Sequence, residues 1–344
     1  MVSVVKNPAA VEVEELTKRY EPAGVQALDG VTFAVEDGEV FGFLGRNGAG
    51  KSTAVRILTT LLRPTSGRAI VAGFDVATQG DQVRGVIGAA LQEAALDELM
   101  TGREHLVLGA RLTGSTRAAA ADRAAELLEA FGLRGAADRI AARYSGGMRR
   151  RLDVAMAMVR RPKVLFLDEP TTGLDPQGRR ALWAIVRDLR HGGATVFLTT
   201  QYLAEADELA SRVAVVHDGR IAAIGAPDEL KQRLGGATTV WVRMAGGDAA
   251  RVTSLPADAE LVATSDDGWL GLRVPAGDAT VPRVVANLAA AGHPIERLRI
   301  QPPTLEDVFV RLTGTGIEAD TGSGASTASA IVVRRGVGLP TGRR

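Results

Sequence analysis

The stretch at residues 45–53, Gly-Arg-Asn-Gly-Ala-Gly-Lys-Ser-Thr, constrains this chain more than any other. It follows an apolar segment, residues 40–44, that predicts a buried strand, and it precedes residues 54–58, which predict the start of a helix. Strand, glycine-rich loop, lysine, hydroxyl and helix in this order are typical of the phosphate-binding loop of a nucleoside triphosphatase. The glycines let successive backbone N–H groups point at phosphate oxygens, and the helix N-terminus adds partial positive charge.

Two side chains of this loop have defined tasks. The ammonium group of Lys51 would reach the β- and γ-phosphates, and the hydroxyl of Ser52 would hold a magnesium ion. An ordinary glycine-rich turn is the alternative, and the strand-to-helix context argues against it. The remaining nucleotide-binding positions of the loop are Gly45, Asn47, Gly48, Gly50 and Thr53.

A second motif supplies the acids that hydrolysis of a phosphoanhydride needs. Residues 164–167 predict another buried strand, which ends in Asp168 and Glu169. Acids at the carboxyl end of a buried parallel strand lie at the ligand edge of the sheet, beside the phosphate-binding loop. We expect Asp168 to hold magnesium, directly or through water, and Glu169 to accept a proton from the attacking water or to orient it. Two solvated acids at a strand end are the alternative.

A third motif, Ser145-Gly146-Gly147, precedes a predicted helix at residues 149–160. Its hydroxyl, its backbone N–H groups and the helix N-terminus predict a second anion-binding end that has no lysine. Because Ser-Gly-Gly is common in turns, the interpretation depends on the position of the motif, shortly before the acidic strand.

The composition is that of a globular chain of one large or two ordinary domains, with 344 residues, 46% apolar and 24% charged. A net charge of +1 predicts no nucleic-acid partner, and the lack of cysteine excludes disulfides and thiolate metal sites. The N-terminus lacks the pattern of a secretory signal, and no apolar run approaches the roughly 20 residues of a spanning helix. We expect a chain that is soluble by itself and intracellular.

Strands that alternate with helices predict an α/β fold whose core is a parallel sheet with covered faces. Two strands around a turn at residues 21–24 precede this core, and an insertion rich in alanine, leucine and arginine at residues 101–142 predicts helices. The predicted parts are a leader (1–10), a nucleotide-binding domain (11–235, with a helical subdomain at about 93–160), a small α+β accessory domain (236–314) and a disordered tail (315–344).

Together these motifs resemble the nucleotide-binding subunit of an ATP-binding cassette (ABC) transporter, over roughly residues 11–230. The resemblance implies a P-loop NTPase cassette that combines the parallel core sheet with an antiparallel β subdomain and a helical insertion. It also implies that the chain binds ATP and Mg²⁺ and hydrolyses ATP. Tyr20 would stack on adenine, and Gln92 would contact magnesium or the attacking water.

The same resemblance makes Ser145, Gly146 and Gly147 the family signature, although Tyr144 and Met148 replace the usual leucine and glutamine beside it. It places Asp175 in a loop that crosses a dimer interface. Two copies would pair head to tail, with each γ-phosphate between Lys51 of one copy and Ser145 of the other.

One departure from the family pattern bears on catalysis. After the predicted strand at residues 196–200, the family places a histidine that contacts the γ-phosphate, and this chain has Gln201. Because glutamine donates a hydrogen bond but carries no charge, we expect reduced but measurable ATP turnover.

Residues 199–203, 205–207 and 303–309 are similar to daunorubicin-resistance-type drug-export ATPases. This similarity implies a separately encoded transmembrane permease that docks on the helical insertion, and a position at the cytoplasmic face of the membrane. It also implies that the accessory domain regulates the cassette or supports assembly. The cargo would be a drug or another hydrophobic compound, which the permease selects.

Two other functions stay open. The first is a soluble cassette ATPase of translation, DNA repair or cluster assembly, without a membrane partner. Translation-type relatives usually carry two cassettes in one chain and repair-type relatives carry long coiled coils, and this sequence has neither. The second is a regulatory or scaffold protein that barely hydrolyses nucleotide, and the presence of Glu169 argues against it.

Overall fold

The computed structural model describes residues 9–92, 96–234, 236–244, 259–264, 269–275, 280–291 and 295–314. The described residues form two compact units, one of residues 9–234 together with 304–314 and the other of residues between 236 and 303. The predicted leader, apart from residues 9 and 10, and the predicted tail lie outside the described residues. In the part of the chain that the structure describes, no helix has the length and apolarity to cross a membrane.

The described helices and strands follow one another in chain order. The first part contains β1 (Ala9–Tyr20), β2 (Val25–Glu36), β3 (Val40–Gly45), α1 (Lys51–Leu58), β4 (Ser66–Val71), β5 (Phe74–Asp75), α2 (Gly80–Val86), β6 (Ile87–Ala90), α3 (Gly102–Leu112), α4 (Arg117–Ala130), α5 (Gly146–Ala157) and β7 (Val164–Asp168). The rest contains α6 (Pro176–His191), β8 (Thr195–Thr200), α7 (Leu203–Leu209), β9 (Arg212–His217), β10 (Arg220–Gly225), α8 (Pro227–Leu234), β11 (Ala237–Met244), β12 (Glu260–Thr264), β13 (Trp269–Pro275), α9 (Thr280–Ala290), β14 (Ile295–Gln301) and α10 (Leu305–Thr313).

A six-stranded sheet in the order β10-β9-β3-β8-β7-β6 forms the centre of the first unit. The neighbours from β9 to β6 pair in parallel, whereas β10 runs antiparallel to β9. Strands β3, β7 and β8 consist of buried residues, as expected for a parallel sheet covered on both faces. Their carboxyl ends therefore meet at one edge of the sheet, which carries Gly45, Asp168 and Thr200.

An antiparallel sheet in the order β2-β1-β4-β5 packs against the central sheet through aromatic rings. Phe33 of β2 stacks on Phe41 of β3, with 5.4 Å between the ring centroids and 9° between the planes. Phe197 of β8 lies within 5.9 Å of four rings of this cluster, those of Phe33, Phe41, Phe43 and Phe166. These contacts hold β3 and β7, which carry the site, in a rigid core. The antiparallel subdomain was predicted correctly.

The predicted helical insertion is confirmed and contains α3 and α4, which pack on α5. Helix α3 begins at a capping box in which Thr101 and Glu104 exchange hydrogen bonds with each other's backbone N–H groups. The fully buried side chains Leu106, Leu128 and Leu152, one from each helix, form part of its core.

Helix α10 belongs to the first unit, which differs from the predicted domain boundary. The sequence predicts an accessory domain that includes residues 304–314. The apolar face of α10, formed by Leu305, Val308 and Phe309, packs in a cluster with Leu44 and Val213 of the cassette. Burial of this face explains why α10 packs with α7 and α8 of the same unit.

The second unit is a four-stranded antiparallel sheet in the order β12-β13-β11-β14, with α9 packed on it. Alternate residues of its strands, such as Val240 and Leu272, face a small core together with Val284 and Leu288 of α9. This arrangement confirms the predicted small α+β fold of the accessory region.

Candidate active site

The phosphate-binding loop has the predicted context, because β3 ends at Gly45 and α1 begins at Lys51. Gly48 and Gly50 have φ values of 83° and 101°, in the left-handed region that residues with side chains rarely adopt. A Cβ atom on Gly50 would also lie 2.3 Å from the carbonyl oxygen of Ala27, so only glycine fits there. The first N–H groups of a helix have no partner within the helix, and this loop presents those of α1 at the sheet edge.

The ammonium group of Lys51 is buried at this edge, and only 3% of the residue is exposed. Its Nζ donates hydrogen bonds to the carbonyl oxygens of Gly45 at 2.9 Å and Arg46 at 3.0 Å. The same atom lies 2.9 Å from Oε1 of Glu169. The structure therefore brings together the lysine and the glutamate that the sequence predicted at the γ-phosphate.

Thr199, which was not predicted as a site residue from the sequence, holds the two acids at the end of β7, Asp168 and Glu169. Oδ1 of Asp168 lies 3.3 Å from Oγ of Ser52 and also accepts a hydrogen bond from the hydroxyl of Thr199. The Thr199 hydroxyl in turn accepts a hydrogen bond of 3.0 Å from the backbone N–H of Glu169. Glu169 itself has a φ of 46°, a conformation that needs such support. The only sequence signal for Thr199 is a threonine at the end of a buried strand next to the acidic one.

A magnesium ion fits the oxygen atoms of this edge. Among the described residues, no group of three or more His, Cys, Asp or Glu side chains could hold a metal ion. The Ser52 hydroxyl and the Asp168 carboxylate, 3.3 Å apart, are hard oxygen donors. Magnesium at nucleotide sites is bound in this way, by one or two protein oxygens together with phosphates and water.

The predicted loop residues line a cleft of about 270 Å³. Gly45 and Asp168 adjoin it through their contacts with Lys51 and Ser52. All lining residues except Ala27 were predicted as site residues from the sequence. They are Ala27, Asn47, Gly48, Gly50, Lys51, Ser52, Thr53, Gln92 and Glu169.

Tyr20 lies beside the start of α1, at the end of β1. Its hydroxyl is 3.3 Å from Oγ1 of Thr53, and Nζ of Lys18 lies 5.5 Å from the centroid of its ring. The structure thus places the ring next to a residue of the cleft. Stacking of this ring on adenine stays a prediction.

Four other predicted residues form a second group around the starts of α5 and α6. Ser145 is the N-cap of α5 and accepts a hydrogen bond from the N–H of Met148. Asp175 is the N-cap of α6, where its Oδ1 accepts a 2.7 Å hydrogen bond from the N–H of Gly178. The two helix starts are neighbours, because a Cβ on Gly147 would lie 3.6 Å from Cα of Gly178. The members of this group, none of which lines the cleft, are Ser145, Gly146, Gly147 and Asp175.

Gln201 follows β8 directly, at the same sheet edge as Asp168, and is half-buried. Four residues further on, Glu205 of α7 is fully buried, and Nε1 of Trp183 donates a 3.0 Å hydrogen bond to its Oε1. Burial raises the pKa of Glu205, although Thr200 and other polar neighbours oppose this shift. Glu205 therefore joins the segment after Gln201 to α6, a contact that the sequence analysis did not identify.

Comparison with known proteins agrees with this geometry. Residues 28–172 match the family model described as ABC transporter, and residues 225–313 match the C-terminal domain of DrrA1-3-like ATP-binding proteins. The daunorubicin resistance ATP-binding protein DrrA2 of Streptomyces coeruleorubidus is 48% identical, over 89% of this chain and 95% of that protein. The chain belongs to the ABC transporter ATP-binding proteins.

Other relatives of this ABC protein carry similar names. The daunorubicin/doxorubicin resistance ATP-binding protein DrrA of Streptomyces peucetius is 45% identical, over 89% of this chain and 92% of that protein. A solved structure described as the ATP-binding subunit of an ABC transporter is 30% identical, with a TM-score of 0.59 over 66% of this chain and 93% of that chain. The family, the cassette fold and the ATPase assignment that the sequence predicted are thus confirmed.

Proposed function

We propose that this ABC protein is the ATP-hydrolysing motor of an exporter and that two copies pair head to tail to complete its active sites. One observation carries the proposal. The residues that line the cleft provide a phosphate loop, an acid and a lysine, whereas the anion-binding helix end at Ser145 belongs to a separate group of the same chain. The cleft lacks a second anion-binding helix end, and the group around Ser145 lacks a lysine and a catalytic acid. The second copy therefore completes the cleft with its own Ser145 end.

The residues of the cleft divide the chemistry among them. Lys51 neutralises charge on the γ-phosphate, and the backbone N–H groups from Gly45 to Gly50 hold the phosphates. Glu169, whose Oε1 is 2.9 Å from Nζ of Lys51, orients the attacking water and accepts its proton. Gln201 donates a hydrogen bond at the γ-phosphate in place of histidine.

Ser52, Asp168 and Gln92 are the residues that hold magnesium in this proposal. When bound, the ion neutralises charge on the β- and γ-phosphates and thereby favours departure of ADP. Thr199 keeps the carboxylate of Asp168 directed toward Ser52 through its hydroxyl. Tyr20 packs on adenine next to Thr53.

The second copy contributes the helix end at Ser145, Gly146 and Gly147. Its N–H groups and the positive end of α5 stabilise the charge on the γ-phosphate from the side opposite Lys51. Asp175, which caps the neighbouring helix, lies between the two copies in this arrangement.

The names of the relatives support drug efflux as the transport that ATP hydrolysis powers. Their names describe ATP-binding proteins of resistance to daunorubicin or doxorubicin, and we propose a related hydrophobic drug as cargo. A separate transmembrane permease carries the cargo, and the cassette lies at the cytoplasmic face of the membrane. The permease docks on the helical insertion, where Leu108 and Leu112 are exposed by 46% and 75%, and on Leu99 just before it, which is 81% exposed.

Mixing two inactive variants tests the shared site. Copies with Lys51→Ala and copies with Ser145→Ala are each expected to be inactive, because every site contains one damaged half. In a mixed pair, one site receives an intact Lys51 and an intact Ser145. If copies pair at random, a 1:1 mixture therefore recovers up to about a quarter of the ATP turnover, the value for two sites that act independently. Phosphate release measures this turnover.

The matched control mixes Lys51→Ala with Glu169→Gln. Both residues belong to the same half-site, since they contact each other within one chain. No mixed pair then contains an intact site, and the mixture stays inactive. Recovery in this control, or failure of the first mixture while the unchanged protein hydrolyses ATP as a monomer, contradicts the proposal.

A further inference from the structure

Arg150, on the second turn of α5, has a buried side chain that the chemistry described above does not use. Only 9% of this side chain is exposed. Its Nε donates a 3.1 Å hydrogen bond to the carbonyl oxygen of Pro170, and its Nη2 donates one of 2.9 Å to that of Asp168. Its Nη1 donates to the carbonyl oxygen of Leu91 and, at 2.7 Å, to the carboxylate of Asp153.

These carbonyl groups belong to two loops of the ATP site. Asp168 and Pro170 are the residues on either side of Glu169, and Leu91 immediately precedes Gln92. Arg150 itself lies five residues after Ser145 on the same helix. The guanidinium group of Arg150 therefore connects two parts of the chain. One is the Ser145 end of α5, which faces the partner's nucleotide in the proposed pair, and the other is the pair of segments that carry Glu169 and Gln92 in the chain's own cleft.

Arginine suits this position better than any other side chain. Its planar group presents five N–H donors in fixed directions, whereas lysine offers three donors on a single atom. A buried charge is costly unless it is paired and hydrogen-bonded. Moving any of the surrounding segments away would remove a partner from the Arg150 guanidinium, so this group fixes the relative positions of the segments that bind it.

The neighbouring arginines show that this arrangement is specific to one position. Arg149 donates hydrogen bonds to Ala141 and Ala142, and Arg151 donates to Phe131, Gly132 and Gly147. All of these acceptors lie within the helical subdomain. Of the three consecutive arginines, only Arg150 reaches the loops of the cleft.

We propose that Arg150 is a positioning residue that couples the two ATP sites of a pair, by making the Ser145 end of α5 move together with Glu169 and Gln92 of the same chain. The inference rests on the head-to-tail pairing proposed above. Nucleotide bound in one cleft then shifts the helix end that completes the other site, so ATP hydrolysis is cooperative between the two copies. Arg150 does not contribute to nucleotide affinity, because its contacts are to backbone carbonyls behind the cleft.

The experiment uses the double variant Arg150→Gln/Asp153→Asn of the full chain, which avoids leaving Asp153 as an unpaired buried charge. We expect kcat to fall at least tenfold and the Hill coefficient for ATP to fall to 1, while the affinity for a fluorescent ATP analogue changes less than twofold. The matched control is Arg151→Gln, which also loses charge and carbonyl contacts on the same helix. Its kcat should stay within twofold of that of the unchanged protein, and its Hill coefficient for ATP should not fall.

Arg150→Lys gives a second test in case the double variant does not fold, as judged by urea unfolding. It keeps the charge beside Asp153 but cannot reach all the carbonyl groups, so a lower kcat and a lower Hill coefficient are again expected. Unchanged kcat and cooperativity in the folded variant, or an equal loss in Arg151→Gln, overturns the inference.

Failure of this inference is distinguishable from failure of the proposed function. If the mixture of Lys51→Ala and Ser145→Ala recovers activity and the Arg150 variants behave like the unchanged protein, only the coupling role is wrong. If that mixture stays inactive, the shared site is wrong and the coupling role falls with it.

Discussion

Thr199 offers a sharp test of how the two acids of the site are positioned. Its hydroxyl is fully buried, donates a hydrogen bond to Oδ1 of Asp168 and accepts one from the backbone N–H of Glu169. Thr199→Val keeps the shape of the side chain and removes both bonds. Loss of a bond to a charged group costs about 1.5–3 kcal/mol, and loss of a neutral one costs about 0.5–1.5 kcal/mol.

The free energy of unfolding should therefore fall by about 2–4.5 kcal/mol in Thr199→Val. The N–H of Glu169 keeps its 3.1 Å bond to the carbonyl oxygen of Thr199, which favours the lower half of this range. Because the Asp168 carboxylate loses a donor that directs it toward Ser52, we also expect kcat to fall about 10- to 100-fold, or about 1.4–2.7 kcal/mol in activation free energy.

The same strand contains a matched control. Thr195 is also buried, and its hydroxyl donates to Oδ1 of Asp37 at 3.1 Å and accepts from the N–H of Gly38 at 2.9 Å. Thr195→Val thus removes the same pair of bonds at the opposite edge of the sheet. Urea unfolding should show similar losses of stability for both variants, whereas phosphate release should show the loss of kcat only for Thr199→Val. Equal kcat values in the two variants would refute the reasoning.

Three further predictions concern catalysis, pH and packing. Gln201→His should raise steady-state ATP turnover, since histidine can carry a charge at the γ-phosphate, and an unchanged rate would mean that this position does not limit turnover. Burial raises the pKa of Asp153 to about 6 despite its contact with Arg150. The folded chain then binds this proton more tightly than the unfolded chain, so the group lowers the free energy of unfolding as the pH rises from about 4 to about 6, by up to about 3 kcal/mol. Urea unfolding over this range should show a steeper fall of stability with pH in the unchanged protein than in Asp153→Asn, and equal slopes would contradict the assignment. Phe309→Ala should lower the free energy of unfolding by about 3–5 kcal/mol, because the ring is fully buried against the cassette. The neighbouring Val310, which is 40% exposed, serves as the control, and a similar loss in Val310→Ala would argue against this packing.

The phosphate-binding half of the site was predictable from the sequence because its residues are close together in the chain. A glycine loop between strand and helix requires one backbone path, and that path puts Lys51 and Ser52 at the same end of α1. Asp168 and Glu169 were predictable because a buried parallel strand must end at the ligand edge of its sheet. The family resemblance then added Gln92, the role of Ser145 at a partner's γ-phosphate and the head-to-tail pairing.

The position of α10 was not predictable in the same way. Its apolar face, with Leu305, Val308 and Phe309 at helical spacing, indicates that the helix is buried against something. The hydrophobic effect has no direction, so the pattern does not say which core receives the helix. Proximity in the chain suggested the accessory domain, and the structure shows the cassette.

The sequence alone determined that a phosphate loop and an acidic strand meet at one sheet edge, because short-range backbone geometry dictates both. Only the tertiary structure decided which of three adjacent arginines serves the site. Arg149, Arg150 and Arg151 are alike in sequence, but each residue of a helix points about 100° away from the one before it. With α5 packed on β6, only the middle side chain reaches the carbonyl groups of Leu91, Asp168 and Pro170.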